Sequence, residues 1–248
     1  MMNRIVLHHS GSAGKPTADD LEHYHRIVDA GGMVHSGRHP ISANAPGRKL
    51  APGTYAAHTA GLNTGAIGLA MSAMHGARWD DPQGSTKCFP TERQVDAFIR
   101  EAARLCRVYG IQPTRKTVLT HAEVQTTLGV RQANKWDFDY DPCGKLDSRD
   151  PLVIGDMLRG LIAAELTAQE ANGRPVTQAP ARPLLRRGSK GPEVRALQAR
   201  LLALGFDPRG VDGDFGPGTE AAVVAFQEAH ELLPDGKAGT ATLTALNL

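Results

Sequence analysis

Residues 4–10 have the sequence Arg-Ile-Val-Leu-His-His-Ser, and this run decides how the first half of the chain is interpreted. Its apolar part is short and rich in β-branched residues, which predicts a buried strand over Arg4–His8. Side chains at the end of a strand emerge at the rim of a rigid scaffold, so His8 and His9 are candidates for a functional site. A lone histidine there is more often structural than functional, so the rest of the chain has to decide.

Strand and helix patterns alternate beyond this run. The other strand-like stretches are Tyr24–Val28, Met33–His35, Ala66–Met71 and Thr117–Thr120. A helix is predicted over Glu92–Tyr109, where Thr91 and Gln94 have the spacing of a capping box and Gly110 ends the apolar periodicity. Another begins at Pro151. Strands interleaved with helices predict an α/β domain with a mixed β-sheet and flanking helices.

A proline-rich stretch divides the chain. Residues 173–183 contain three prolines and lack apolar periodicity, as expected of a semi-extended linker. We therefore predict a first domain over residues 1–172, a linker over 173–183 and a second domain over 184–248. Nine of the ten histidines precede residue 122, so any histidine chemistry belongs to the first domain.

The second domain is predicted to be all-α. Three stretches have helical spacing of apolar residues, and Asp-Gly turns separate them. The stretches are Pro192–Leu204, Thr219–His230 and Thr240–Leu246. A three-helix unit of this size is close to the lower limit for independent folding.

Composition excludes several classes of protein. The net charge of +2 over 248 residues gives no nucleic-acid footprint, and no stretch approaches the roughly 20 apolar residues of a membrane helix. The 3 cysteines do not form a disulfide framework and fit synthesis in a reducing compartment. The apolar run at the N-terminus is too short for a signal peptide, so we expect cytoplasmic synthesis. If the protein acts outside the cytoplasm, we expect another agent to deliver it. We also expect a monomer.

Three further features give the histidines a chemical context. His121 ends another predicted strand, Lys135-Trp136-Asp137 places a cation two residues before a carboxylate, and Tyr24 begins a predicted strand. Two histidines and one carboxylate are sufficient for a catalytic zinc site that keeps its fourth position for water. A lysine nearby can stabilise an oxyanion, and a tyrosine hydroxyl can orient water or substrate.

The order of these segments resembles a known family. The run Ile5–Ser10, the segment Tyr24–Gly32 with Gly37-Arg38, the segment Ala57–Asn63 with Ile67-Gly68-Leu69, and His121–Val124 followed by Lys135-Trp136-Asp137 are similar to type-2 N-acetylmuramoyl-L-alanine amidases. That group includes phage amidase-type lysozymes and peptidoglycan recognition proteins. The resemblance covers most of residues 3–140.

The resemblance implies a role for each matching residue. His8, His121 and Asp137 would bind Zn²⁺, Lys135 would stabilise the transition state, and Tyr24 would donate a catalytic hydrogen bond. His58 and Asn63 would line or support the cleft, and His9 would be a bystander.

Three residues near Asp137 compete with it as the third ligand. They are Asp139, Asp141 and Cys143, of which Cys143 is the strongest rival because thiolate binds zinc well. Asp137 is preferred because it alone has the family's offset from Lys135. The chain also departs from the family at Ala70, where many members have a glutamate, so no carboxylate base is expected at that position.

The second domain has a resemblance of its own. Leu185–Val194, Val211–Pro217, Ala225-Phe226-Gln227 and the Gly-rich turns at 235–240 are similar to the three-helix type-1 peptidoglycan-binding domain. Together, the two resemblances imply a zinc amidase that cuts the bond between N-acetylmuramic acid and L-alanine while anchored to the cell wall. The implied setting is a phage endolysin that acts on peptidoglycan after release from the host cytoplasm. The alternatives are a cytoplasmic amidase that recycles muropeptides and a recognition protein without activity.

Overall fold

The structure is a computed structural model that describes residues 2–133, 135, 137–144, 146–172, 184–230, 232–246 and 248. The chain divides into two compact units, Met1–Gly173 and Arg174–Leu248. The predicted linker over 173–183 and Trp136 lie outside the described residues. Within the described ranges, no helix has both the length and the apolar character needed to span a bilayer.

The first unit is built on a five-stranded mixed sheet. Its strands are β1 (Arg4–His9), β2 (Arg26–Val28), β3 (Val34–Ser36), β4 (Ala66–Met71) and β5 (Val118–Thr120), in the order β3-β2-β4-β1-β5. Strand β1 is parallel to both β4 and β5, β2 is parallel to β4, and β3 pairs antiparallel with β2. Strands β1 and β4 are almost wholly buried, which explains their continuous apolar sequences.

The register of β1 against β5 brings the two site histidines together. Leu7 is the partner of Thr120. His8 is the next residue of β1, and His121 directly follows the end of β5. Because neighbouring parallel strands have their carboxyl ends at the same edge, these two side chains emerge side by side.

Helices flank the sheet. They are α1 (Ala18–His23), α2 (Pro82–Ser85), α3 (Glu92–Tyr109), α4 (Val124–Leu128) and α5 (Pro151–Asn172), with 3₁₀ turns at Ile41–Asn44 and His121–Glu123. Helices α3 and α5 pack against each other, and both bury an apolar stripe that includes Phe98 and Leu105 on α3 and Leu158 and Ile162 on α5. This architecture confirms the predicted α/β fold.

Two local predictions need correction. Strand β2 begins at Arg26 rather than Tyr24, because Tyr24 is the C-cap of α1 and its N–H donates to Asp20 O. The predicted capping box of α3 is only half present. Thr91 Oγ1 accepts from Gln94 N at 3.1 Å, but the Gln94 side chain donates to Val28 O, at 2.8 Å, instead of returning to the cap. A buried carbonyl at the end of β2 needs a donor, and this requirement prevails.

Over its described residues, the second unit has three helices, as predicted: α6 (Pro192–Ala203), α7 (Pro217–Ala229) and α8 (Thr240–Ala245). Its core contains Leu197, Leu201, Phe215, Val223 and Phe226, each at most 1% exposed. The unit therefore has an apolar core of its own.

The same hydrogen-bond network occurs twice in the second unit. In each copy, a buried glutamine accepts from the glycine N–H of an Asp-Gly turn and donates to the aspartate and to a threonine of the next helix. The sets are Gln198 with Asp212, Gly213 and Thr219, and Gln227 with Asp235, Gly236 and Thr242. Each network joins two helices through their connecting turn, so the aspartates have a structural role.

Candidate metal centre and active site

The chain turns sharply where β5 ends, and this turn orients His121. Thr120 Oγ1 accepts from Glu123 N at 3.3 Å, and the Glu123 carboxylate accepts from Thr120 N at 2.8 Å, which is a reciprocal cap. Arg159 of α5 binds the same carboxylate through both of its terminal nitrogens, at 3.0 and 2.8 Å. The corner that carries His121 is thus fixed to the sheet and to α5.

The three residues predicted as metal ligands lie in contact with one another. His8 Nδ1 is 3.1 Å from Asp137 Oδ2, His121 Nδ1 is 3.3 Å from the same oxygen, and the two Nδ1 atoms are 3.0 Å apart. All three residues are at most 9% exposed. Among the residues that the structure describes, they form the one group of histidine, cysteine or acidic side chains able to hold a metal ion.

The spacing of these atoms fits a transition-metal site. Ligands about 2.0–2.1 Å from a tetrahedral zinc ion lie roughly 3.3 Å from each other, close to the 3.0–3.3 Å between the three atoms here. Two imidazoles and a carboxylate are also the ligand types that zinc accepts, and three of them leave the fourth position for water or substrate. The three residues therefore fit a zinc ion.

Burial and neighbouring charges favour neutral His8 and ionised Asp137. Burial lowers the pKa of His8 to about 4, against the opposing effect of its hydrogen bond to Asp137. Burial alone would raise the pKa of Asp137, but His9, His121 and His8 hold it well below its usual range. At neutral pH, neutral His8 and ionised Asp137 offer lone pairs, as metal binding requires.

Tyr24 and Lys135 are placed differently around this centre. The Tyr24 ring is 5.1 Å from the His8 ring, centroid to centroid. Burial and the charge of Asp137 raise the pKa of Tyr24, so its hydroxyl keeps its proton and can donate. Lys135 is exposed, and it lies two residues before Asp137 in the chain.

His58 and Asn63 lie behind the metal ligands. His58 is 6% exposed, and its Nδ1 is 3.3 Å from His8 Nε2. Asn63 Oδ1 accepts from Thr59 N at 2.9 Å, which closes the loop that follows His58. His58 therefore contacts the Nε2 edge of His8, away from Asp137, and Asn63 supports the loop beside His58.

The competing ligands have other partners. Asp139 forms an ion pair with Arg149, and Asp141 accepts from Cys143 N at 2.7 Å and from Leu146 N at 2.6 Å. His9 is buried, with its Nε2 3.9 Å from Asp137 Oδ1. Within the described part of the chain, none of these residues belongs to the three-ligand group.

Sequence reasoning missed Gln132. Its Oε1 is 3.0 Å from His121 Nε2, on the side of the ring opposite Asp137. The residue lies in a loop without periodicity, eleven positions after His121, and no motif marks it.

Comparison with known families agrees with this geometry. The family model described as N-acetylmuramoyl-L-alanine amidase matches residues 2–139, a range that contains all three ligands. The chain belongs to this family. A second family model, for a peptidoglycan binding domain, matches residues 190–246 of this amidase-family chain.

Two known proteins are similar in sequence to parts of this chain. A probable N-acetylmuramoyl-L-alanine amidase of Bacillus licheniformis is 31% identical over 155 residues, which cover 60% of this chain and 40% of the relative. A zinc D-Ala-D-Ala carboxypeptidase of Streptomyces albus G is 46% identical over 66 residues, or 25% of each protein. The chain thus spans less than half the length of either relative.

The zinc in the second name does not transfer to this site. An alignment of 66 residues cannot contain both His8 and Asp137, which are 129 positions apart. The case for a metal rests on the geometry of the three ligands and on the family match.

Solved structures give weaker likenesses. An N-acetylmuramoyl-L-alanine amidase from Clostridium intestinale URNW has 20% identity and a TM-score of 0.33, covering 53% of this chain and 73% of its own. The SleB N-terminal domain has 43% identity and a TM-score of 0.26, covering 26% and 89%. TM-scores this low do not establish a shared fold for the whole chain.

Proposed function

We propose that this chain is a zinc-dependent N-acetylmuramoyl-L-alanine amidase that hydrolyses the amide between N-acetylmuramic acid and L-alanine in bacterial peptidoglycan. The observation that carries the proposal is the approach of His8 Nδ1, His121 Nδ1 and Asp137 Oδ2 to within 3.0–3.3 Å of one another. These atoms lie inside the segment that matches the amidase family. A recognition protein without activity would not need an intact ligand set.

His8, His121 and Asp137 would hold the metal. Zinc supplies a Lewis acid for a carbonyl oxygen and lowers the pKa of water to about 7. Tyr24 keeps its proton and is able to hydrogen bond to water or to the substrate. Lys135 would donate to the carbonyl oxygen as negative charge develops there, which is where a fixed cation contributes most to rate.

A carboxylate base beside the metal is absent from the strand where many family members have one. Ala70 pairs with His8 across β1 and β4 and is fully buried. Its methyl group cannot accept a proton, so more weight would fall on Tyr24 and on the water whose pKa the metal would lower.

The chemical groups in the site favour an amide as the bond that is cut. Glycosidases generally need two carboxyl groups flanking the sugar linkage, whereas the described centre contributes one carboxylate, Asp137. A metal with a lysine donor suits attack on a planar carbonyl. The family match then favours the amide that joins muramic acid to L-alanine.

The second unit would attach the enzyme to its insoluble substrate. Residues 190–246 match a peptidoglycan binding domain, and tethering raises the effective concentration of scissile bonds. A wall anchor favours release of the enzyme onto the cell wall, as in an endolysin that lyses the host, over recycling of soluble muropeptides.

Metal analysis tests the ligand set. Purified protein should carry about one zinc per chain, as a site with three protein ligands implies. Asp137→Ala should lose both zinc and hydrolysis, whereas Cys143→Ser should keep both, because Cys143 is not part of the three-ligand group. If Cys143→Ser strips the metal and Asp137→Ala retains it, the ligand assignment is wrong.

A further inference from the structure

Gln132 is held by two backbone carbonyls, which fixes the orientation of its amide. Its Nε2 is 2.8 Å from Ala60 O and 3.4 Å from Val130 O. Carbonyl oxygens only accept, so the NH₂ end must face them. The Oε1 atom is thereby aimed at His121 Nε2, 3.0 Å away.

This orientation decides which nitrogen of His121 carries the proton. Gln132 Oε1 has no hydrogen, so His121 Nε2 must be the donor of their hydrogen bond. In a neutral imidazole the other nitrogen is then bare. His121 Nδ1, the atom that faces Asp137 Oδ2 at 3.3 Å, therefore presents a lone pair to the centre.

His58 exerts the same control on His8. His58 Nε2 is 3.4 Å from Ala66 O and must donate to it, which leaves His58 Nδ1 as an acceptor. That nitrogen lies 3.3 Å from His8 Nε2 and 2.8 Å from Thr59 Oγ1. Gly68 provides the room, because a Cβ there would lie 2.5 Å from His58 Cγ.

We propose that Gln132 and His58 are positioning residues that keep the imidazole protons of His121 and His8 on Nε2, so that both Nδ1 atoms are ready to bind the metal. The inference rests on the proposed metal site. Gln132 donates to Ala60 O, and His58 donates to Ala66 O. The backbone of the sheet and its loops therefore sets the tautomers of the two ligand histidines.

Asp137 favours the opposite tautomer of both histidines. Asp137 Oδ2 only accepts, and it lies 3.1 and 3.3 Å from the two Nδ1 atoms. In metal-free protein its charge attracts a proton onto either Nδ1, and that proton would have to leave before metal binds. Gln132 and His58 oppose this shift by stabilising the Nε2–H form of each ring.

The test measures the zinc affinity of Gln132→Leu against that of wild type. This change removes the acceptor for His121 Nε2–H, and the zinc dissociation constant should rise roughly 10- to 100-fold, the range for loss of such an outer partner. Chelator competition with zinc alone gives both dissociation constants.

A matched control separates proton placement from loosening of the loop. Gln125, in the preceding helix α4, accepts through its Oε1 from Gln132 N at 3.0 Å. Gln125→Leu therefore makes the same chemical change and removes a contact to this loop, but it spares the bond to His121. Its zinc affinity should stay near that of wild type. If Gln125→Leu weakens zinc binding as much as Gln132→Leu does, the positioning role is overturned.

Nitrogen NMR of the metal-free protein reads the tautomers directly. At neutral pH, wild type should show Nε2–H on both His8 and His121, and Gln132→Leu should shift His121 toward Nδ1–H. Nδ1–H on His8 in wild type would overturn the role of His58. A His121 tautomer that is the same in Gln132→Leu as in wild type would overturn the role of Gln132. A wild type that binds no zinc would instead refute the proposed function, since the tautomers are measured without metal.

Discussion

At the scale of the residue, Lys135 has a role that can be separated from metal binding. It is exposed, and it does not belong to the three-ligand group. We predict that Lys135→Ala keeps its zinc but loses roughly 100-fold or more in turnover, the scale for removal of one oxyanion donor. Steady-state kinetics on a soluble muropeptide, with metal content measured on the same sample, checks this. Near-normal turnover in zinc-loaded Lys135→Ala would exclude the role.

The sequence marks some residues of the candidate site and leaves others unmarked. His8 and His121 are predictable because each follows a short apolar strand, and Asp137 because of its offset from Lys135 in the family pattern. Their mutual contact depends on the parallel register of β1 and β5, which places Leu7 opposite Thr120. The contact of Gln132 with His121 depends on how a loop folds back, and local sequence does not encode it.

At the scale of the element, α5 has two glycines that provide a matched pair. A Cβ on Gly155 would lie 2.1–2.3 Å from the Glu123 carboxylate, which is fully buried against Arg159. A Cβ on Gly160 would meet nothing within 4 Å. We predict that Gly155→Ala lowers the free energy of unfolding by about 1–3 kcal/mol, as overpacking does, and that Gly160→Ala raises it by about 0.4–1 kcal/mol.

Chemical denaturation of the two variants measures the difference. The effect of Gly155→Ala should come from displacement of the Glu123 carboxylate, whose hydrogen bonds hold the turn at His121. Equal stabilities for the two variants would mean that α5 does not press on this carboxylate.

Local sequence predicts some helices of the first unit better than others. Helix α3 has the predicted bounds because Thr91 caps it and Gly110 adopts the left-handed conformation at its end. Helix α1 was not predicted, although Thr17 and Asp20 form a reciprocal cap at its start, because only six residues follow and they lack a clear apolar stripe. The side chain of Gln94 binds a strand end, and tertiary contacts of that kind lie beyond the reach of local sequence.

At the scale of the whole molecule, we predict that the two units divide the work. A fragment ending near residue 173 should still cleave soluble muropeptides, because every proposed catalytic residue precedes that point. It should act more weakly than the full chain on insoluble wall, since the anchor is lost. The segment 184–248, which contains a buried core of its own, should sediment with purified peptidoglycan. Failure to sediment would exclude its binding role.

The bond that is cut tests the central claim most directly. Purified peptidoglycan should be digested with the zinc-loaded full chain, with Asp137→Ala as the inactive control, and the products analysed by mass spectrometry and end-group labelling. Because an amide between muramic acid and L-alanine is the proposed target, digestion should release intact stem peptides with free L-alanine amino termini and no new reducing sugar ends. New reducing ends, or amino termini of D-amino acids alone, would contradict the account.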